Sequence, residues 1–244
     1  MLINMKTILS ALLAATVWVA CFYVPGVWML TGIGEADKPF LDLRNLVSAG
    51  EAAQLGHNPY VSNPLDPYHR PHGFSSWWLV GGRLGLTRED IAWLGTLLLG
   101  LTLASTALLL RPAGWRQGAG LLLVLVSPPL LFLVNRANHD LVVFVLMSLA
   151  LGCLRHERGF VRALAILLLA VSAVLKYFPL AAVVILLDAR SRREFAGWVL
   201  LYGLVLVLAW PSLEPALRTA ATASTSTPAT GAASRRRDAC RAIP

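Results

Sequence analysis

Long apolar runs are the feature that most constrains how this 244-residue chain can fold. Each run approaches the roughly 20 residues that a helix needs to cross the hydrocarbon core of a bilayer. A backbone inside hydrocarbon satisfies its hydrogen bonds only within a helix or a closed barrel. A mean hydropathy of +0.64 with 14% charged residues excludes an ordinary water-soluble domain. The runs predict an all-α, polytopic transmembrane bundle over residues 1–211, with helices at 8–30, 91–110, 118–134, 140–154 and 195–210 and a short hairpin at 163–187.

Arginines between the runs indicate the orientation of the bundle. They follow the runs that end at 110 and 154 and precede the run that begins at 195, and the positive-inside rule places these loops in the cytoplasm. We attribute the formal net charge of +8 to them rather than to nucleic-acid binding. Because basic loops flank both ends of 163–187, we expect two short helices that meet near Pro179 and put Lys176 at an outward apex. A single crossing is the alternative.

Residues 31–90 then form a large extracytoplasmic loop. Its prolines favour a folded loop with turns, and a weak helical stripe over 43–55 predicts a surface helix. The segment 74–86, with two tryptophans, is expected to be interfacial or a short core helix. Thr87 and Asp90 have the spacing of a capping box that opens the helix at 91. His57, His69 and His72 lack zinc-site spacing and are expected to be solvated.

Both ends of the chain leave alternatives open. The first apolar run follows a short basic segment like a signal peptide, but it exceeds the usual length of an h-region, so we expect a retained helix. Residues 212–244 are rich in Ala, Ser and Thr and carry three arginines at 235–237. We expect this tail to be disordered. Our preferred explanation is a truncated or frame-shifted reading frame, and a natural tail is the alternative.

Three polar clusters interrupt the apolar background, and the predicted topology puts all three on the outer side. Ionisable groups at membrane depth point to a functional site. Each cluster also has a purely structural explanation. Asp42 could cap a helix or pair with Arg44, the second cluster could be a polar turn with Asp140 at a helix N-terminus, and Lys176 could snorkel to the interface. The clusters are Asp42-Leu43-Arg44-Asn45, Asn135-Arg136-Ala137-Asn138-His139-Asp140 and Lys176-Tyr177.

The order and spacing of three motifs resemble a known family. The chain is similar to the GT-C superfamily of polytopic glycosyltransferases, particularly glycosyltransferase family 87, which includes polyprenyl-phosphate-mannose-dependent α-1,2-mannosyltransferases. Ala137 stands where the family pattern has glycine, and such enzymes usually have more crossings, so we expect a truncated member. The motifs are Asp42-Leu43-Arg44-Asn45 leading to Gly56-His57-Asn58-Pro59-Tyr60, then Arg136-Ala137-Asn138-His139-Asp140, then Leu175-Lys176-Tyr177-Phe178-Pro179-Leu180.

The resemblance implies transfer of a hexose from a polyprenyl-phosphate donor to a lipid or glycan acceptor, on the outer face of a bacterial plasma membrane. It implies Asp42 as the catalytic carboxylate and Arg136 and Lys176 as ligands of the donor phosphate. No cofactor is implied with certainty, and a divalent cation remains open. A polyprenyl-lipid or solute transporter and a non-catalytic truncated membrane protein are the competing interpretations. The remaining substrate-binding candidates are Arg44, Asn58, Tyr60, Asn138, His139, Asp140 and Tyr177.

Overall fold

The computed structural model describes residues 5–24, 26–30, 39–109, 114–176 and 178–225. Within these residues the chain is all-α, as predicted, and contains no strand. Three 3₁₀ segments accompany the α-helices, at Ser76–Leu79, Arg88–Asp90 and Phe178–Asp188. The α-helices are α1 Met5–Tyr23, α2 Val27–Leu30, α3 Leu41–Gln54, α4 Val80–Arg83, α5 Ile91–Leu109, α6 Trp115–Leu125, α7 Pro128–Arg136, α8 Asp140–Leu154, α9 Gly159–Leu175 and α10 Arg192–Thr225.

Two runs expected as single helices are broken. The run 8–30 divides into α1 and α2, because Gly26 has a φ of +80° that helical geometry does not allow. The run 118–134 divides into α6 and α7, whose axes differ by 50°. Pro128 has no N–H for the helical ladder and holds the preceding Ser127 in an extended conformation. The same proline suits the first position of α7.

The apolar stretch expected as a hairpin is interrupted at Lys176. α9 ends at Leu175, and Lys176 has the extended backbone angles φ −152° and ψ 129°. The following piece, Phe178–Asp188, packs against α9 but is a 3₁₀ segment instead of a second α-helix. Pro179 explains the break, since it has no N–H to donate to the carbonyl of Leu175 and its ring would clash with that carbonyl in a continuous helix.

The expectation of disorder from residue 212 is corrected for residues 212–225, which continue α10. This segment contains good helix formers and an i,i+4 ion pair between Glu214 and Arg218, with 2.5 Å between Oε1 and Nη2. Pro211 and Pro215 lie inside the helix. Residues 226–244, with the three arginines at 235–237, lie outside the described residues.

Two described helices are long and apolar enough to cross a membrane, at Arg88–Ala107 and Arg192–Thr219. The bent pair of α6 and α7 gives a third span if it is counted as one. The other apolar helices, which include α8 and α9, have 10–17 residues, and α8 has the bounds predicted for the helix at 140–154. Many side chains on the outward faces are apolar and exposed, for example Leu200 and Leu208 on α10. The chain is an all-α membrane protein.

The loop 39–90 folds over one end of the helices and builds the floor of the candidate site. α3 contacts α4 where Gly50 and Gly82 face each other with no room for a side chain. The predicted capping box of Thr87 and Asp90 is confirmed and precedes α5. Two apolar cores lie beneath, one around α1, α5, α6 and α7 and one around α8, α9, the last 3₁₀ segment and α10.

Candidate active site

Asp42 lies in the first turn of α3, which is tied to the end of α7. Phe40 precedes the helix with a left-handed φ of 59°, and its N–H donates to the carbonyl of Asn135 at 2.9 Å. This contact fixes the start of α3 next to Arg136. Arg44 points elsewhere, since its Nε donates to the carbonyl of Pro39 at 2.8 Å. The structural alternatives for Asp42, a helix cap or a pair with Arg44, are therefore not what the structure contains.

The carboxylate of Asp42 accepts hydrogen bonds from the last residue of α7, Arg136, and from Asn138 in the turn after it. Arg136 donates from Nε at 2.9 Å and from Nη2 at 2.6 Å, so its planar fork engages both oxygens. Asn138 donates from Nδ2 at 2.7 Å, and Nη1 of Arg70 lies 3.5 Å away. Burial acts to raise the pKa of Asp42, but the bonds and charges of Arg136, Asn138 and Arg70 outweigh it and lower the pKa. Asp42 is an anion at neutral pH.

The tight corner between α7 and α8 carries the polar cluster to Lys176. Ala137 closes α7 with a φ of 42°, and the N–H of Asn138 donates to the carbonyl of Leu133 at 3.0 Å, as in a Schellman motif. Oδ1 of Asn138 then accepts from the N–H of Asp140 at 2.9 Å. The carboxylate of Asp140 pairs with Nζ of Lys176 at the end of α9. Residues far apart in sequence thus form one connected network.

Arg70 and Asp66 complete this network, and the sequence analysis did not select either. Asp66 is 1% exposed and accepts from Nε and Nη2 of Arg70 at 3.1 and 2.9 Å. Burial tends to raise the pKa of Asp66, and the bonds from Arg70 and from the backbone lower it. In the sequence, the i,i+4 spacing of Asp66 and Arg70 within a proline-rich stretch could have indicated this ion pair. Three cations therefore face three carboxylates in the site.

His139 is buried in an aromatic row beside this network. Its ring lies 4.2 Å from that of Phe74 and 6.0 Å from that of Trp78, and His72 and Tyr60 continue the row. Neither ring nitrogen of His139 has a hydrogen-bond partner among the residues that the structure describes. Burial, followed by the charge of Lys176, lowers the pKa of His139 to about 4. The imidazole is neutral at pH 7 and can both donate and accept.

His72 corrects one expectation, because it is fully buried instead of solvated. Its ring stands between those of Tyr60 and Phe74, and Nε2 lies 3.3 Å from the carbonyl of Ser75. Burial lowers the pKa of His72 to about 4. His57 and His69 are exposed, as expected.

The model of glycosyltransferase family 87 matches residues 84–233, more than half of the chain. The chain belongs to glycosyltransferase family 87. No curated protein and no solved structure matched the chain in the corresponding searches.

Family 87 membership assigns the protein as a glycosyltransferase. The matched range contains the corner at 136–140 and Lys176, whereas Asp42, Asn58 and Tyr60 precede it. Ala137, which replaces the glycine of the family pattern, has the left-handed backbone that glycine adopts without strain. The turn therefore forms despite the substitution, at a cost of about 1 kcal/mol for an L-residue.

The other predicted substrate residues have different positions in this family 87 chain. Asn58 is exposed, and its side chain accepts from the N–H of Tyr60 at 3.1 Å, so it shapes a turn. The hydroxyl of Tyr60 donates to the carbonyl of Phe74 at 3.1 Å, and burial raises the pKa of Tyr60 to about 12. Arg44 lines a neighbouring polar pocket with Glu51 and Arg88, and Asp66 of the network also lines it. Tyr177 lies outside the described residues.

An apolar cavity adjoins the polar network of this glycosyltransferase. Its volume is about 790 Å³, and it reaches Asn135, the residue before Arg136. Among the described residues, no group of three His, Cys, Asp or Glu side chains is placed to hold a metal ion. The cavity is lined mainly by α1, α2 and α5, including Trp18, Phe22, Trp28, Phe40 and Leu99.

Proposed function

We propose that this family 87 enzyme transfers a hexose such as mannose from a polyprenyl-phosphate donor to a lipid or glycan acceptor on the extracytoplasmic face. One observation carries the proposal, namely the network of half-buried side chains that joins Asp42, Arg136, Asn138, Asp140 and Lys176. This cluster contains a carboxylate for an acceptor hydroxyl and cations for a phosphate, which are the two groups that the reaction requires.

The distribution of arginines supports the extracytoplasmic location. α8 begins at Asp140 in the site and ends at Leu154, and α9 begins at Gly159 and returns to Lys176. Arg155 and Arg158 lie in the loop that joins the far ends of these two helices, and Arg162 lies near the start of α9. If that end is cytoplasmic, as the positive-inside rule favours, the site faces the other side of the membrane.

The donor phosphate would bind where Arg136 and Lys176 now pair with Asp42 and Asp140. Together with Arg70 they supply three positive side chains. These can stabilise the negative charge that develops on the phosphate oxygen as the sugar leaves. The adjoining apolar cavity has the size of a ligand pocket and suits part of an isoprenoid chain. Asn138 and the neutral His139 would hydrogen-bond sugar hydroxyls, since His139 has unused ring nitrogens among the described residues.

In the chemical step the acceptor oxygen forms a bond to the anomeric carbon. The bond from that carbon to the phosphate oxygen breaks, and its electron pair stays on the phosphate. The proton of the acceptor hydroxyl goes to the carboxylate of Asp42. Because Arg136 and Asn138 lower the pKa of Asp42, proton transfer requires that the donor phosphate draw Arg136 away and so strengthen the base.

The test is sugar transfer by the full chain in detergent, with mannosyl polyprenyl phosphate as donor. We expect Asp42→Asn to lower kcat by about 10²- to 10⁴-fold, the usual contribution of a general base. Arg136→Lys keeps the charge but loses the fork, so we expect it to raise the KM for the donor by roughly tenfold. Glu51→Gln is the matched control, because Glu51 is also on α3 but pairs with Arg88.

Two results would contradict the proposal. Equal kcat in Asp42→Asn and wild type would remove Asp42 from the reaction. Movement of the lipid across vesicle membranes without sugar transfer would favour a transporter. If Asp42→Asn changed only the KM for the donor, Asp42 would be a positioning residue for Arg136.

A further inference from the structure

A second polar cleft lies at the opposite end of α8 and α9 from Asp42. The two helices are roughly 20 Å long at 1.5 Å per residue, so the cleft is separate from the candidate active site. It lies between the end of α8, the start of α9 and the end of the last 3₁₀ segment, and its volume is about 440 Å³. The side chains that line it include Arg155, Arg162, Arg190, Asp188, Leu151 and Ile185.

Arg162 is the structural arginine of this cleft. It is 2% exposed, and its guanidinium donates to Oε1 of Glu194 at 2.8 Å and to the carbonyls of Leu154 and Asp188 at 2.9 Å each. The face of Trp198 lies 4.9 Å from its central carbon. Because Arg162 is fully engaged, it holds the three elements together instead of presenting charge to a ligand.

The other arginines leave a positive excess. Arg155 is exposed, and its side chain forms no hydrogen bond or ion pair with the part of the chain that the structure describes. Arg190 is exposed, and its backbone N–H donates to Oε2 of Glu194 at 2.6 Å. In residues 155–162 and 188–194 six arginines face three carboxylates, those of Glu157, Asp188 and Glu194, which leaves an excess of three positive charges.

We propose that this cleft binds the phosphate headgroup of an anionic phospholipid. Arg155 and Arg190 are exposed members of its lining, and Leu151, Leu154 and Ile185 form its apolar part beside the carboxylate of Asp188. Phe160 and Leu187, which lie within two residues of the lining in sequence, are apolar and 71% and 74% exposed. A molecule with an anionic head and acyl chains satisfies both surfaces, whereas a soluble phosphate would leave the apolar wall uncovered. Basic pockets between transmembrane helices are suited to such headgroups.

The experiment compares phosphatidylglycerol with phosphatidylcholine as ligands of the full chain in detergent. Native mass spectrometry gives the affinity for each lipid. We expect preferential binding of phosphatidylglycerol and a roughly tenfold or greater loss of affinity in Arg155→Gln/Arg190→Gln, since the variant removes two positive charges from the headgroup site. The control Arg83→Gln/Arg116→Gln removes two other exposed arginines and the same charge, and we expect it to bind like wild type.

Melting temperatures provide a readout that needs no variant. Phosphatidylglycerol should raise the melting temperature of the wild type more than phosphatidylcholine does, because it binds the folded state. Equal effects of the two lipids, or equal losses of affinity in both double variants, would overturn the proposal. Displacement of bound lipid by millimolar inorganic phosphate would assign the cleft to a free anion instead. Sugar transfer is not part of this test, so its outcome is independent of the proposed function.

Discussion

At the scale of single residues, the carboxylate of Asp42 is shared among Arg136, Asn138 and Arg70. Removal of one of these partners therefore changes the hydrogen-bond geometry of the remaining two and the electrostatic environment around them. The contacts within the site also explain why its ionised groups are stable while half-buried, because each carboxylate faces a cation within hydrogen-bond reach. Under the proposed function, the phosphate of the donor would compete with these contacts.

The buried His72 gives a prediction for the pH dependence of stability. Its pKa is about 4 in the folded chain, against the ordinary histidine value of 6.5 in the unfolded chain. Between these pH values the unfolded chain binds a proton that the folded chain does not, so the free energy of unfolding falls as the pH falls from about 6.5 to about 4. The loss approaches the order of 3 kcal/mol for this histidine. His139 acts in the same direction.

Melting temperatures at pH 7 and pH 5 check this prediction. We expect His72→Gln to reduce the pH dependence by about half, since His139 still titrates. His57→Gln is the control, because His57 is exposed and should leave the dependence unchanged. An undiminished dependence in His72→Gln would show that this histidine is not the titrating group.

At the scale of elements, α3 can reach its place only because two glycines allow α4 to approach it. A Cβ on Gly82 would lie 2.1 Å from the carbonyl oxygen of Gly50, which is a backbone atom and cannot rotate away. We expect Gly82→Ala to lower the free energy of unfolding by at least about 2 kcal/mol through overpacking. Gly81→Ala in the same turn meets only the flexible side chain of Leu86 at 3.5 Å.

Thermal unfolding of the two alanine variants separates packing from helix propensity. Both substitutions gain the same helix propensity, so we expect Gly81→Ala to be as stable as the wild type or more stable by up to about 1 kcal/mol. Similar melting temperatures for the two variants would mean that α3 and α4 are not in close contact.

Phe40 links α5 to the start of α3 in a comparable way. A Cβ on Gly95 would lie 2.4 Å from the ring of Phe40, whose N–H bonds to Asn135 beside the site. We expect Gly95→Ala to displace Phe40 and to reduce sugar transfer by roughly tenfold to a hundredfold, as small misplacements of reacting groups do. Gly120→Ala on α6 has nothing within 4 Å, lies outside the lining of the apolar cavity and should transfer at the wild-type rate. Equal rates in the two variants would remove Phe40 from the positioning of Asp42.

At the scale of the whole molecule, the candidate site and the arginine-lined cleft lie at opposite ends of α8 and α9. We therefore expect them to face opposite compartments. Cysteine substitutions at the exposed positions Asn58 and His156, made in a chain with Cys21, Cys153 and Cys240 replaced, test this expectation. A membrane-impermeant maleimide should label Asn58→Cys in intact cells and His156→Cys only after permeabilisation. Labelling of both from the same side would refute the proposed orientation.

The sequence by itself determined the membrane class and much of the site. Apolar run length requires helices, and Asp42, Arg136 and Lys176 were selectable because charge is costly in an apolar background. The helix break near Pro179 was also predictable from the sequence. The bend at Pro128 was missed because the residues on both sides of it are apolar. The prediction of disorder from the Ala-, Ser- and Thr-rich composition was wrong for residues 212–225. The helix propensity of these residues is sufficient to continue α10.

Only the tertiary structure decided which polar groups meet. Asp42 turns to Arg136 and Asn138, which are 94 and 96 residues away, instead of to its neighbour Arg44. Arg70 and His72 became part of the site or its surroundings because the folded loop buries them. Such pairings depend on loop closure and on close packing at single glycines, and neither leaves a periodic signal in a sequence.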